Sequence, residues 1–446
     1  MILPEVMLGL LHLCSLFFAV HAVMYSRSPQ GAIGWAVSLL IIPLVALPAY
    51  LLLGRSKFVG YAKAGSGLAL PLDDALQTCH RVLEPWQSPL PGSWPQLHRL
   101  NAQLHELQST RSNDIRLLID GAATFDAIFE AIQHARQTIL VQFYIVRDDR
   151  IGRELRSRLI QKAAEGVRVY FLYDRIGSHG LPHTFLRTME TAGIQTAAFG
   201  SSRHLINPFQ INFRNHRKLV IIDGATAFTG GLNVGDEYLG KNPRFGPWRD
   251  THVKITGPSA LDLQICFLED WFWATGQTPA LPWSPAPARE ADQLVYTLKS
   301  GPADELEVCA LLLIDAIASA RKRFWVASPY FVPDHGILST LQLAALRGVD
   351  VRILLPGMPD HLLPYLTSYT YYPSLRKAGV KVFRMKEGFM HQKVALIDDS
   401  LASVGTVNMD YRSLLLNFEL TVFSPDRAFC MEVEAMLRED FSRSHP

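Results

Sequence analysis

The segment His216–Asp223 reads HRKLVIID, and the segment His391–Asp398 reads HQKVALID. Both follow the pattern H-x-K-x-x-x-x-D with the same internal spacing, and both place four apolar residues between the lysine and the aspartate. The flanking sequence repeats as well, because Gly-Gly-Leu-Asn at 230–233 corresponds to Gly-Thr-Val-Asn at 405–408. The chain therefore carries the same short segment twice, which indicates two similar structural halves.

The spacing of each histidine and lysine suits a β-strand. Side chains alternate across a strand, so residues two positions apart share a face and can point at one ligand. Lysines and amides bind the anionic oxygens of a phosphodiester, a neutral imidazole can attack phosphorus, and a protonated imidazole can give a proton to the leaving alkoxide. The residues that would hold one phosphate between the two halves are His216, Lys218, Asn233, His391, Lys393 and Asn408.

A single H-x-K pair at a strand end is usually a surface pair, and an aspartate five residues after the lysine is usually a solvated turn residue. Two copies with matching glycine and asparagine favour a site over that alternative. Asp223 and Asp398 complete the predicted catalytic set. Their position at the far end of each apolar run favours structural pairing over direct chemistry.

The histidines need acceptors that fix their tautomers. Asp250, in Trp-Arg-Asp at 248–250, and Glu419, in Asn-Phe-Glu at 417–419, occupy corresponding positions downstream of the two motifs. We expect them to orient His216 and His391, respectively. A surface salt bridge is the alternative role for each carboxylate.

The repeat extends beyond the motifs. The apolar segments 138–141 and 324–327 each precede an amphipathic helical pattern, and segments 165–171 and 347–353 then read as strands. This alternation predicts an α/β fold with two pseudo-repeated lobes, each built on a mixed sheet flanked by helices. Proline-rich stretches at 85–95 and 279–287 read as linkers.

The N-terminal region is strongly apolar. Val6–Met24 is interrupted only by His12, Ser15 and His21, and Gly31–Leu53 contains no charged residue. Each is about 20 residues, enough to cross a hydrocarbon core of roughly 30 Å as a helix. A cleavable signal peptide fits poorly because there is no basic segment before the apolar run, and a buried core helix is the other alternative. We expect a transmembrane helical hairpin.

The positive charges around this hairpin predict its orientation. The loop between the spans carries Arg27, whereas Arg55, Lys57 and Lys63 follow the second span. The positive-inside tendency then places the large C-terminal part in the cytoplasm. The predicted domains are a transmembrane hairpin at 1–60, a connecting region at 61–110, a first lobe at 111–278, a linker at 279–292 and a second lobe at 293–446.

Composition argues against several other classes. The 43 basic and 41 acidic residues nearly balance, whereas a general nucleic-acid binder usually has a basic excess. The five cysteines lack C-x-x-C spacing, so neither a disulfide framework nor a zinc site is indicated. A glycine-rich loop followed by Lys-Ser/Thr and a magnesium-binding carboxylate cluster are also missing from the sequence. We therefore expect no cofactor and no metal.

These motifs resemble the paired signatures of the phospholipase D superfamily, and their surroundings resemble its bacterial cardiolipin synthase branch. The resemblance covers nearly the whole chain, with Thr406 standing where the family more often has serine. The segments that carry it are Arg214–Lys218, Gly230–Asn233, Trp248–His252, Ser300–Pro302, Pro329–Asp334 and Asn408–Ser413.

The resemblance implies two phospholipase D-like lobes packed about a pseudo-two-fold axis. It implies His216 as a nucleophile that forms a phosphatidyl-histidine, and His391 as the general acid and then base. Lys218, Lys393 and the two asparagines would hold the phosphoryl oxygens. The implied enzyme is a transferase of the bacterial inner membrane, multi-pass and with its catalytic part in the cytoplasm.

The leading functional prediction is transfer of a phosphatidyl group from one phosphatidylglycerol to another, giving cardiolipin and glycerol. The expected partners are phosphatidylglycerol and other anionic membrane lipids, with no nucleic acid. A phospholipase D-type phosphodiesterase that hydrolyses phospholipids or nucleic acid is the alternative, because water could replace the acceptor. A catalytically silent membrane scaffold is a third class, which the two intact motifs disfavour.

Overall fold

The computed structural model describes residues 2–26, 29–54, 58, 61, 67, 69–89, 109–200 and 212–446. The charges used to orient the hairpin, Arg27, Arg55, Lys57 and Lys63, lie outside these residues, as does most of the first proline-rich stretch.

The N-terminal region forms helices α1 (Ile2–Tyr25), α2 (Pro29–Ile41) and α3 (Pro43–Leu53). Within the described residues, one helix, Glu5–Tyr25, is long and apolar enough to cross a membrane. The second predicted span is divided at Ile42, because Pro43 has no N–H to continue the helical ladder and begins a new helix instead. The region predicted as the second span of the hairpin is therefore two shorter helices, and all three segments are apolar.

The three helices pack through small residues and one polar contact. Ala19, Ala22 and Ala46 are buried between them, and Nδ1 of His21 lies 2.8 Å from the Tyr50 hydroxyl. Many of the other apolar side chains face outward; for example, Leu13 is 70% exposed. A surface of this kind is stable in lipid rather than in water, so the N-terminal region associates with a membrane.

After α3 the chain forms one more helix and then the first lobe, which contains a sheet with helices packed against it. Its strands are β1 (Thr110–Ile119), β2 (Thr138–Phe143), β3 (Arg168–Asp174), β4 (Gln195–Phe199), β5 (Arg214–Asn215), β6 (Leu219–Ile222), β7 (Thr226–Gly230), β8 (Trp248–Arg249) and β9 (Thr251–Thr256). The helices are α4 (Leu70–Leu83), α5 (Asp120–His134), α6 (Arg150–Ala164), α7 (His183–Thr191) and α8 (Ser259–Thr275), with short 3-10 helices at Glu84–Trp86 and Asp236–Leu239.

The second lobe repeats this plan. Its strands are β10 (Gln293–Ser300), β11 (Arg323–Ala327), β12 (Phe331–Val332), β13 (Asp350–Leu355), β14 (Lys381–Met385), β15 (Phe389–Met390), β16 (Val394–Ile397), β17 (Leu401–Gly405), β18 (Met409–Asp410), β19 (Asn417–Ser424) and β20 (Ser444–His445). Its helices are α9 (Val308–Ser319), α10 (His335–Leu346), α11 (Leu362–Tyr369), α12 (Tyr372–Ala378), α13 (Tyr411–Leu415) and α14 (Arg427–Ser442).

The strand order shows the pseudo-two-fold relation. The first lobe runs β4-β3-β2-β6-β7-β9-β1, and the second runs β14-β13-β11-β16-β17-β19-β10. In both, the first three strands are parallel and the rest pair antiparallel. Strands β1 and β10 pair antiparallel and join the two sheets into one. The predicted α/β fold with two mixed-sheet lobes is confirmed.

Two strand starts differ from the sequence prediction. The strands predicted at 165 and 347 begin at Arg168 and Asp350. In each case the preceding helix ends at a glycine in the left-handed region, Gly166 with φ 89° and Gly348 with φ 91°. The turn at this glycine takes up the residues that were predicted to begin the strand, so the strand starts later.

The lobes share a hydrophobic core. Helix α8 is almost wholly buried, and its residues pack in one cluster with Ile115 and Val295 on the joined strands and with Leu420 of the second lobe. Helix α4, in the predicted connecting region, contributes Leu72 and Leu76 to the same cluster. The sheet junction is therefore rigidly packed, and the site described below lies across it.

Candidate active site

Short strands that cross between the lobes position the two histidines. Strand β5 pairs with β19 of the second lobe, and His216, which follows β5, donates its backbone N–H to Phe418 at 2.9 Å. Strand β15 pairs with β8 of the first lobe, and His391 donates its backbone N–H to Arg249 at 2.8 Å. Each histidine is thus anchored by backbone of the opposite lobe.

The orienting carboxylates also come from the opposite lobe. Nδ1 of His216 lies 2.9 Å from Oε2 of Glu419, and Nδ1 of His391 lies 2.9 Å from Oδ2 of Asp250. The two predicted carboxylates are therefore at the site, but their assignment is reversed. The reason is geometric: β8 and β19 each end beside the histidine of the other lobe, so Asp250 and Glu419 reach across the junction.

These contacts fix the tautomers. A buried carboxylate accepts a hydrogen bond from Nδ1–H, which leaves Nε2 as the ring atom available to a substrate. Both carboxylates are buried, and the pKa of Glu419 lies below its usual value because the attraction of His216 and Lys218 outweighs the effect of burial. Both carboxylates can therefore stay ionised and act as acceptors.

Burial and nearby charge keep the imidazoles neutral. Burial, together with the charges of Lys218 and Lys393, lowers the pKa of His216 to about 4 against the opposing effect of Glu419. Burial, and then Lys393, also lower the pKa of His391. A neutral imidazole has the lone pair needed for attack on phosphorus. An anionic phosphodiester bound nearby would favour the protonated form of the other imidazole.

The lysines lie beside their histidines, as the spacing predicted. Nζ of Lys218 donates to the carbonyl of His216 at 2.6 Å, and Nζ of Lys393 donates to the carbonyl of His391 and lies 3.2 Å from its Nε2. Both lysines are buried, and burial lowers the pKa of Lys393 to about 8 and that of Lys218 well below its usual value. Burial therefore disfavours the charged form of both lysines, and an anionic phosphate bound beside them would favour it.

The asparagines line the same cavity but have different partners. Oδ1 of Asn233 accepts the N–H of Ile145 at 3.1 Å, and its Nδ2 donates to the Tyr238 hydroxyl at 3.2 Å. Oδ1 of Asn408 is buried and has no hydrogen-bond partner among the residues that the structure describes. The structure thus brings together Asn233, Asn408 and both histidine–lysine pairs.

Asp223 and Asp398 do not reach the site. The carboxylate of Asp223 accepts the backbone N–H groups of residues 136–138, and that of Asp398 accepts those of residues 321–323. Both residues adopt positive φ, 53° and 52°, at the turn after β6 or β16. They fasten this turn to the start of β2 or β11. Both aspartates belong to the predicted catalytic set, and these contacts match the structural pairing that their position in the sequence favours.

Thr406 distinguishes the two halves of the site. Its hydroxyl donates to Oε2 of Glu419 and accepts the N–H of Leu420 at 2.9 Å. The corresponding residue, Gly231, lies so close to Asp250 that a Cβ there would be 1.9 Å from Oδ1. One carboxylate therefore gains a hydroxyl donor, and the other packs against bare backbone.

A cavity of about 660 Å³ opens onto both histidines and both asparagines. Aromatic and aliphatic side chains form much of its wall, among them Phe245, Trp248, Val332, Leu363 and Pro364. Charged and polar groups beside these apolar walls suit a ligand with an anionic head and apolar chains.

Sequence reasoning did not assign several polar residues of this cavity. The ring of Tyr144 lies 5.1 Å from that of His216, and the hydroxyl of Tyr330 donates to Asp360. Arg214 and Arg412 also line the cavity. Both arginines stand in segments that carry the family resemblance, but the sequence offered no reason to assign either of them a role. In the described ranges, no group of three or more His, Cys, Asp or Glu is arranged to hold a metal ion.

The paired lobes, with two H-x-K histidines facing one cavity across a pseudo-two-fold junction, define a phospholipase D-like fold and site. Residues 128–243 and 313–441 match the family described as "Cardiolipin synthase, PLD-like domain", and residues 13–55 match "Phospholipase_D-nuclease N-terminal". The chain belongs to the cardiolipin synthase family and is a phosphatidyl-transferring enzyme.

Individual relatives agree with this membership. The chain is 47% identical over 443 residues to cardiolipin synthase A of Pseudomonas entomophila strain L48, covering 98% of this chain and 92% of that one. It is 46% identical over 440 residues to cardiolipin synthase A of Pseudomonas fluorescens strain SBW25, covering 98% and 91%. The crystal structure of phosphatidylserine synthase from Haemophilus influenzae Rd KW20 shares the fold, with a TM-score of 0.60, 16% identity and coverage of 78% and 91%.

Proposed function

We propose that the enzyme transfers a phosphatidyl group from one phosphatidylglycerol to the terminal hydroxyl of a second, releasing glycerol and forming cardiolipin. The observation that carries the proposal is the crossed arrangement of Glu419–His216 and Asp250–His391 at one apolar-walled cavity. It presents two buried imidazoles with the same tautomer to a single phosphate, and so allows one to attack while the other transfers a proton.

In the first step, Nε2 of His216 attacks phosphorus and the bond to the glycerol oxygen breaks. Protonated His391 gives its proton to that oxygen, so glycerol leaves as a neutral alcohol and the phosphatidyl group is bonded to His216. Lys218, Lys393, Asn233 and Asn408 stabilise the negative oxygens of the pentavalent transition state.

The second step reverses the first with a new alcohol. The hydroxyl of the acceptor phosphatidylglycerol gives its proton to His391, its oxygen attacks phosphorus, and the bond to His216 breaks. The products are cardiolipin and a regenerated enzyme. The assignment of His216 rather than His391 as nucleophile is supported by the resemblance of the motifs, and the low pKa of His216, about 4, is compatible with it.

The membrane arrangement is part of the proposal. Helices α1–α3 would lie in the bacterial inner membrane as a multi-pass anchor, with the lobes at 111–278 and 293–446, joined by the linker at 279–292, on the cytoplasmic side. The exposed apolar side chains of these helices support membrane insertion. An activity reporter fused after Pro446 should then work in the cytoplasm, and periplasmic activity alone would exclude this topology.

The test of the reaction uses purified full-length protein in phosphatidylglycerol micelles, without nucleotide. Cardiolipin and glycerol should form in equal amounts, and added glycerol should reverse the reaction because phosphodiester bonds of similar energy are exchanged. His216→Ala should abolish turnover, whereas His179→Asn, on the exposed surface, is the matched control. Phosphatidic acid as the dominant product, with no cardiolipin at any glycerol concentration, would instead support the hydrolase alternative.

A further inference from the structure

The donor and the acceptor each bring one phosphate to the reaction, but only the donor's phosphate is attacked. The donor contributes the phosphate that is attacked, which the histidines, lysines and asparagines already surround. If the acceptor is a second phosphatidylglycerol, it brings another phosphodiester, separated from its reacting hydroxyl by a three-carbon glycerol. This inference therefore rests on the proposed function and concerns where that second anion is held.

Two arginines from opposite lobes meet in the cavity. Arg214 lies on β5, two residues before His216, and Arg412 lies on α13, directly after the strand β18 that follows Asn408. Partial removal from water lowers the pKa of Arg412, and the positive charge of nearby Arg214 lowers it further. Two like charges held near each other repel, and an anion bound between them would relieve that repulsion.

Hydrogen bonds hold this arginine pair in place. Arg412 donates from Nη1 to Oδ1 of Asn212 at 3.0 Å and from Nη2 to the carbonyl of Asn212 at 2.5 Å. A guanidinium has five N–H donors, so these two bonds orient the group and leave donors for a ligand. Arg214 interacts with the hydroxyl of Tyr144, whose ring lies 5.1 Å from that of His216. Tyr144 therefore lies beside both Arg214 and the reacting histidine, His216.

The acidic groups around the cavity have hydrogen-bond or ion-pair partners of their own, although Asp410 and Asp174 lie close enough to attract Arg412, and Asp174 also attracts Arg214. Glu237 lies 3.6 Å from Arg147, and Asp360 accepts from the Tyr330 hydroxyl. Asp410 accepts the N–H of Ser413 at 2.8 Å. Just behind the wall, Asp174 accepts the N–H of Asn215 at 2.9 Å.

We propose that Arg214 and Arg412 form a second anion-binding site that holds the phosphodiester of the acceptor phospholipid. Paired guanidinium groups can present parallel donors to phosphate oxygens, which is the geometry that recognises a phosphodiester. The site would select a charged lipid alcohol over water or glycerol for the second step, without taking part in the first.

A partition experiment isolates this role. Full-length enzyme acts on phosphatidylglycerol in the presence of deuterated glycerol, and mass spectrometry measures two products of the same intermediate. Cardiolipin reports transfer to the acceptor that carries a phosphate, and deuterated phosphatidylglycerol reports transfer to a neutral alcohol. Arg412→Gln and Arg214→Gln should each lower the ratio of cardiolipin to exchange product about tenfold or more, because a charge-assisted hydrogen bond to the acceptor is lost. Exchange should persist within about threefold, which also shows that the variants fold.

Two further variants sharpen the result. Arg412→Lys keeps the charge and should restore part of the ratio, while Arg147→Gln removes a cavity charge that already faces Glu237 and should leave the ratio unchanged. An unchanged ratio in Arg412→Gln and Arg214→Gln, an equal fall of both products, or an equal change in Arg147→Gln would overturn the acceptor site. A wild-type enzyme that exchanges glycerol but never makes cardiolipin would overturn the proposed function itself, and this site with it.

Discussion

Replacing Glu419 with glutamine tests the crossed carboxylates most directly. The substitution keeps the size of the side chain but removes the negative charge that faces Nδ1 of His216 at 2.9 Å. A hydrogen bond to a charged group contributes about 1.5–3 kcal/mol, and here it both fixes the tautomer and stabilises the cation that develops as phosphorus is attacked. We therefore expect Glu419→Gln to slow formation of the covalent intermediate about 10- to 150-fold.

The assay is rapid mixing with phosphatidylglycerol labelled in the phosphate, followed by quenching and measurement of label on the protein. The matched control is Asp250→Asn, which disturbs His391 instead and should act on proton transfer to and from the alcohols. Excess alcohol of low pKa, which needs little help from a general acid when it leaves, should rescue the Asp250 variant more than the Glu419 variant. A labelling rate in Glu419→Gln within twofold of wild type would refute the reasoning, as would a larger loss of attack in Asp250→Asn with no such rescue.

Four further predictions concern pH, the motif aspartate Asp223, the membrane segment and the packing of Phe58. The value of kcat/KM should fall as pH drops through about 4, because His216 then gains a proton and loses its nucleophilic lone pair. The value of kcat/KM should also fall as pH rises above the lowered pKa of His391, because the general acid then loses its proton. The alkaline limb of kcat should lie at higher pH than that of kcat/KM, since bound phosphodiester raises the pKa of His391; coincident limbs in pH–rate profiles would contradict this. Asp223→Ala should reduce the free energy of unfolding by about 1.5–3 kcal/mol, because its hydrogen bonds to the backbone are lost, while turnover per folded molecule changes little. A large loss of kcat at unchanged thermal stability would instead support a catalytic role. Removing residues 1–53 should leave a folded enzyme with weaker membrane attachment. In the full chain, Phe58→Ala should lower the free energy of unfolding by about 3–5 kcal/mol, because it leaves a cavity among Phe199, Phe213 and Phe418. Equal thermal stability of Phe58→Ala and wild type would contradict that packing.

The sequence alone determined the features that depend on local periodicity. The spacing of two predicted that Lys218 lies beside His216 and Lys393 beside His391, although residues 216–218 and 391–393 precede strands β6 and β16 rather than lying within them. The apolar runs before Asp223 and Asp398 became strands buried on all positions, as continuous hydrophobic segments do in a covered sheet. The repeat of these patterns was enough to predict two α/β lobes, because each half carries its own complete set of local signals.

Only the tertiary structure decided which groups meet across the junction. For each histidine, the carboxylate that is nearer along the chain is not the partner. The partner comes from the other lobe, because β8 pairs with β15 and β19 pairs with β5. Internal symmetry made both pairings equally compatible with the sequence. The meeting of Arg214 with Arg412 has the same origin, since long-range strand pairing, rather than spacing along the chain, brings two lobes to one phosphate.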